Sequence, residues 1–191
     1  GFVVGKTASC AAMALTIGAY LWPGAGRPVA AAAVALLTVV NLRGVTKTAG
    51  ATAALVVVTL LVLALVVGAG LVAGDPVPAR LGDGATRPLG VLTAAGLIFF
   101  AFAGYARVAT LGEEVREPRR TIPRAVPAAL GLVLVVYAAV GAVALLVLGP
   151  ARLAGATAPL VEVLVAAGAS ALAPVVRVGA GLAAAGVLVS L

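Results

Sequence analysis

Apolar residues run through the chain in six long blocks, at about residues 2–22, 29–42, 51–72, 89–112, 123–148 and 171–191. None alternates polar with apolar. Most reach the roughly 20 residues a membrane-crossing helix requires, whereas a barrel strand needs only about 10 alternating ones. The pattern predicts an all-helical bundle. Block 29–42 is short and relies on Pro28 and Arg43 at the interfaces or on a locally thin bilayer. Punctuation between blocks is clear: Pro23, Gly24, Gly26 and Pro28 make a turn, Asn41 to Thr48 a compact basic loop, and Gly149 with Pro150 a stop. Thr121 and Pro123 signal the start of the fifth span, because proline in a first helical turn sacrifices no needed donor. Residues 73–88, with Asp75, Arg80, Asp83 and Arg87 in balance, read as an aqueous loop. Residues 160–169 read as a short surface helix with Glu162 facing water. Thr59, the polar group in the middle of the third block, is expected to return its hydroxyl to the preceding turn.

Composition agrees with an integral membrane protein. Of 191 residues, 63% are hydrophobic and 10% charged, none is histidine, and the mean hydropathy is +1.24. A water-facing shell needs far more polar surface. The net charge of +7 sits in short loops, where basic residues set orientation rather than bind nucleic acid. Alternation puts Lys6, Arg43, Lys47, Arg107, Arg116, Arg119, Arg120 and Arg124 on one side and Arg27, Arg80, Arg87, Arg152 and Arg177 on the other. The richer side should be cytoplasmic, with Gly1 inside. Tyr20 and Trp22 read as interfacial aromatics, and Cys10, the single cysteine, as a small core residue. No metal cluster or nucleotide loop is present and Ser9, Ser170 and Ser190 lack a base partner, so no enzyme and no cofactor is expected. The chain starts without Met and stops within an apolar block, which reads as an internal piece of a longer protein.

The stretch from Leu97 to Arg124 stands apart. Non-helical backbone survives at membrane depth only where protein or a water-filled cavity satisfies it, so an interruption marks a candidate site. Phe99 to Tyr105 alternates aromatic and small residues around Gly104, where relaxed backbone restriction lets carbonyls turn towards a ligand. The plain alternative is an unbroken helix with Gly104 as a packing notch. Past Gly112, Glu113, Glu114 and Glu117 alternate with Arg116, Arg119, Arg120 and Arg124 around Pro118 and Pro123. Acidic groups at a helix C-terminus oppose its dipole and need compensating cations. A conformational latch built from Glu113, Glu114, Arg116, Arg120 and Arg124 answers this, as does a solvated loop whose arginines only fix topology.

The run IFFAFAGYARVATLGEEVREPRRTIPRAV resembles the sixth transmembrane helix and following cytoplasmic loop of the amino acid-polyamine-organocation transporters, bacterial amino acid permeases above all. GKTASCAAMALTIGAYL resembles that family's third helix and NLRGVTKTAG its loop between helices four and five, so the chain corresponds to helices three to eight. The resemblance implies part of a five-plus-five inverted repeat with a discontinuous helix near Gly104. It also implies that substrate binds between broken helices one and six. On the matching positions, carbonyls of Phe100, Ala101 and Ala103 would receive the substrate's amino group, with Gly104 at the unwinding and Phe102 as a pocket or gate aromatic. Helix one, which supplies amides for the carboxylate, has no counterpart in this sequence. Thr59 stands near the place of a lysine found in proton-coupled relatives, and Arg107 follows the glycine-aromatic pair where many relatives carry an acidic or small residue.

The function expected is secondary active transport of an amino acid, polyamine or related amine across the cytoplasmic membrane by alternating access, proton-coupled or by exchange. The alternative is a non-transporting helical scaffold or regulatory fragment, whose helices associate through small residues such as Gly131, Gly141 and Gly179. A channel would need a continuous polar lining, which these alanine and valine walls lack.

Overall fold

The computed structural model describes residues 2–43, 49–82, 88–102 and 117–188. Seven α-helices occur among them: α1 Phe2–Leu21, α2 Gly26–Leu42, α3 Ala49–Ala73, α4 Pro88–Phe99, α5 Pro118–Gly155, α6 Pro159–Ala166 and α7 Ala173–Leu188. Short 3-10 turns cover Pro23–Ala25, Pro78–Leu81, Phe100–Phe102 and Ser170–Leu172. No strand occurs among the described residues.

Five helical stretches are long and apolar enough to cross a bilayer: Val3–Leu21, Pro23–Leu42, Gly50–Ala73, Pro118–Gly155 and Ser170–Leu188. Of the fourth apolar block, Pro88 to Phe102 is described and the remainder lies outside the described residues. Large apolar side chains cover much of the outside, among them Val57, Leu61, Leu132, Leu134 and Val135. Water would make such a surface a liability, while hydrocarbon or neighbouring helices solvate it. The chain is an all-α membrane bundle.

Packing follows small residues. A Cβ on Gly18 would collide with the carbonyl oxygen of Gly26, so only glycine lets α1 and the start of α2 approach this closely. α7 lies against α1 and α3, and Gly179 makes room for Val62, whose Cγ2 would stand 2.7 Å from an added Cβ. Thr59 Oγ1 donates to the Leu55 carbonyl at 2.8 Å, the expected return to its own helix.

α6 differs from the surface helix expected at residues 160–169. Val161, Val163 and Leu164 are buried, the last two completely, in one cluster with Val62, Val66, Val143, Val147 and Val176. The eight residues of α6 are a plug between α3, α5 and α7. Glu162 is one-third exposed and its carboxylate pairs with Arg152 Nε at 3.4 Å. Tyr20, at the end of α1, packs into the same cluster and is 6% exposed. Its hydroxyl accepts from the Leu160 amide at 3.4 Å and its carbonyl from Arg177 Nη1 at 2.9 Å. Trp22 stays exposed.

α5 begins at Pro118, inside the charged cluster, with Pro123 within it, and contains a kink at Gly149, whose φ of 75° and ψ of 165° are not helical. Glycine adopts this left-handed φ without a Cβ penalty. Pro150 has no N–H, which leaves the Leu146 carbonyl without its helical donor. The loop between α3 and α4 supplies replacements. Val77 N donates to Leu146 O at 3.2 Å, and Arg80 Nη1 donates to Leu146 O at 2.8 Å and to the Val147 carbonyl. A segment expected to be an aqueous loop is thus docked on the kink.

Candidate substrate site at the end of α4

α4 starts with proline at its first position and runs through leucine, alanine and glycine to Phe99. Twelve residues at about 1.5 Å each span roughly 18 Å, well short of a hydrocarbon core of about 30 Å. The α-helix stops there, inside an apolar block, and the backbone tightens into the 3-10 turn Phe100–Phe102. A helix end leaves carbonyls without intrahelical donors and carries a partial negative charge.

One of the carbonyls past that end has a partner on another helix. Tyr137 Oη of α5 donates to the Ala101 carbonyl at 3.3 Å. The Phe102 and Tyr137 rings meet edge to face, with centroids 5.4 Å apart and planes at 69°. That is a favourable geometry for aromatic quadrupoles. Two of the five expected site residues, Ala101 and Phe102, therefore come together around a third residue. Phe100 lies in the same 3-10 turn by its backbone. Ala103 and Gly104 fall outside the described residues, as do Tyr105 and Arg107.

Tyr137 was not singled out in the sequence. A signal existed: it is the one polar or aromatic side chain in residues 125–148. A phenolic hydroxyl within hydrocarbon seeks a partner. Nothing local, however, names a carbonyl 36 residues away.

Of the latch candidates, Glu113, Glu114 and Arg116 lie outside the described residues. Arg120 and Arg124 are exposed on the first turns of α5. Arg120 Nη1 stands 3.8 Å from the carboxylate of Glu117, both side chains more than 70% exposed. Such a pair adds little stability by itself.

A bundle of long apolar helices, with one α-helix ending inside an apolar block and a backbone carbonyl there met by a hydroxyl from a second helix, defines a multi-pass membrane protein. The chain belongs to the amino acid permease family, whose model matches residues 1–191. It is 57% identical over 192 residues to uncharacterized transporters of Mycobacterium bovis and Mycobacterium tuberculosis, a match that takes in 100% of this chain and 44% of each relative. It is 34% identical over 93 residues to the branched-chain amino acid permease BcaP of Bacillus subtilis, covering 49% of this chain and 20% of that protein. The chain thus spans less than half the length of the mycobacterial relatives.

Proposed function

We propose that this chain forms the central part of a secondary transporter that moves amino acids, or related amines, across the cytoplasmic membrane by alternating access. The observation that carries the reading is the end of α4 at Phe99, followed by a 3-10 turn whose Ala101 carbonyl accepts from Tyr137 of a neighbouring helix. Carbonyls at a half-helix end suit an ammonium group, through both their lone pairs and the negative end of the helix dipole. In this reading Phe100, Ala101, Phe102, Ala103 and Gly104 are the substrate-binding segment, with Gly104 at the expected unwinding. The apolar character of this segment and the name of the Bacillus subtilis relative favour an uncharged branched-chain substrate such as L-leucine.

Coupling is to protons or to exchange with a second amino acid. The spans lie near residues 2–22, 29–42, 51–72, 89–112, 123–148 and 171–191, with the Gly1 end cytoplasmic. Placement of Arg80, Arg152 and Arg177 around one end of the bundle, and of Arg119, Arg120 and Arg124 at the start of α5, agrees with the asymmetry of basic residues that orients membrane proteins. On the inner side Glu113, Glu114, Arg116, Arg120 and Arg124 act as a latch. An ion pair as exposed as Arg120 with Glu117 exchanges partners readily, which a latch requires.

The test is uptake of radiolabelled amino acids and of putrescine by the full-length protein in proteoliposomes. It is run with an inward proton gradient and, separately, with unlabelled substrate preloaded. Uptake of L-leucine stimulated by either condition is expected. Indifference to every amino acid and amine under both conditions would reject transport in favour of a helical scaffold.

A further inference from the structure

We propose that residues 74–81, where the chain leaves α3, are a detachable strap: hydrogen bonds to two carbonyls dock it on the bend of α5, and it lets go as a unit while the core behind it stays packed.

The dock is polar. Pro150 has no N–H, so the Leu146 carbonyl lacks a donor one turn ahead. Val77 N supplies one at 3.2 Å and Arg80 Nη1 another at 2.8 Å, and the same Nη1 donates to the Val147 carbonyl. The Arg80 stem passes Gly149, where an added Cβ would stand 3.5 Å from its Cδ. Apolar burial contributes little here. Val77 is 39% and Leu81 55% exposed, and Ala79 is exposed as well. α6 is held in the opposite way, with Val163 and Leu164 completely buried. A segment with few buried apolar groups and with hydrogen bonds close to solvent opens at low free-energy cost, whereas a core element opens only with the whole.

The strap also leaves α3 under strain. Asp75 has φ 44°, in the left-handed region that a residue with a Cβ seldom adopts. It follows Gly74, which is buried where an added Cβ would stand 2.8 Å from Val147 Cγ2. Docking of the residues after Asp75 holds this turn in place, and release lets it relax. Both Arg80 bonds are only part-buried, so water replaces some of what the two carbonyls lose. An undocked strap leaves the bend at Gly149 uncapped and frees the connection that follows α3 to move without α5.

The experiment is hydrogen–deuterium exchange of the full-length protein in nanodiscs, followed by mass spectrometry of its peptides. It compares the unsubstituted protein with Arg80→Leu and with Arg152→Leu, which breaks the pair with Glu162 and removes the same charge. In the unsubstituted protein, residues 77–82 should exchange about a hundredfold faster than residues 159–166 of α6. Arg80→Leu should speed exchange over 77–82 by about tenfold and leave α6 and the α1 core around Ala14 as they were. Arg152→Leu should leave 77–82 unchanged. Arg80→Lys keeps the charge without the fork of donors and gives a milder variant, with a smaller rise of the same sign expected. Strap exchange as slow as that of α6 in the unsubstituted protein overturns the proposal without any variant. An unchanged strap in both Arg80 variants overturns it too, because Arg80 then holds nothing. A rise shared equally by strap, α6 and α1 would mean loosening of the whole bundle, and an equal rise with Arg152→Leu would trace the effect to charge; either result rejects the strap.

Discussion

Pro150 cannot donate to the Leu146 carbonyl, and the chain answers from another element. Arg80, sixty-six residues earlier, places Nη1 against that oxygen and against Val147 O, while Val77 N adds a backbone donor. The guanidinium suits the task because its fixed fork of donors can serve two carbonyls at once. Arg80→Leu keeps the stem and removes the donors. It should lower stability by about 1–3 kcal/mol, the usual cost of orphaning a partly buried acceptor, seen as a lower thermal midpoint of the full-length protein in detergent. An unchanged midpoint would show that Val77 alone suffices. Gly149→Ala, at φ 75° and ψ 165°, should cost about 1–3 kcal/mol by the same measurement, through strain in a backbone conformation that essentially only glycine adopts. At this scale the sequence speaks unevenly. The return of the Thr59 hydroxyl to its own helix could be read directly, since the acceptor lies one turn away. The partners of Arg80 and Tyr137 could not, because both bonds join residues far apart along the chain.

Elements separate into those that hydropathy describes and those it does not. The long helices α1, α3 and α5 arise from apolar runs whose length alone exceeds what any strand would need. α6 defeated that logic. Its eight residues are too short to cross a membrane, and shortness with a single glutamate suggested a surface position. Burial is decided by what surrounds an element, and here α3, α5 and α7 close around it. Leu164→Ala should destabilise the full-length protein by about 2–4 kcal/mol, far more than a surface leucine would, as read from thermal unfolding. The end of α4 was partly legible. The glycine-aromatic pattern drew attention to Phe99 through Tyr105, and the change from α-helix to 3-10 turn falls at Phe100. Gly104→Leu should abolish uptake while leaving membrane insertion intact, because it crowds the proposed unwound segment. Normal uptake by that variant would argue that the segment binds nothing.

For the whole molecule, two ends can be distinguished. Tyr20, the Pro78–Leu81 turn, the Gly149 kink, α6 and the start of α7 gather at one of them. The charged start of α5 lies at the other. Single cysteines introduced at Arg152 and at Arg119, in an otherwise cysteine-free protein with Cys10 replaced, should report opposite sides. A membrane-impermeant maleimide applied to intact cells should label the first and spare the second. Labelling of Arg119→Cys from outside would invert the orientation proposed. The exposed apolar faces of α3 and α4 fit a protein whose relatives are more than twice as long, in which further helices or lipid cover them.

The position of α6 also bears on how the molecule comes into being. Ribosomes deliver a chain from its first residue onward, and the helices α1 to α5 precede α6 in that order. Yet Val62, Val66, Val143 and Val147 share their buried cluster with Val163, Leu164 and Val176. Val143 and Val147 are delivered shortly before α6 and Val176 after it, so this cluster closes only once α5, α6 and α7 have all arrived, and the earlier helices can be settled in the bilayer before they are settled against these. Packing of this region should therefore wait on α6 and α7 rather than on the insertion of α1 to α3.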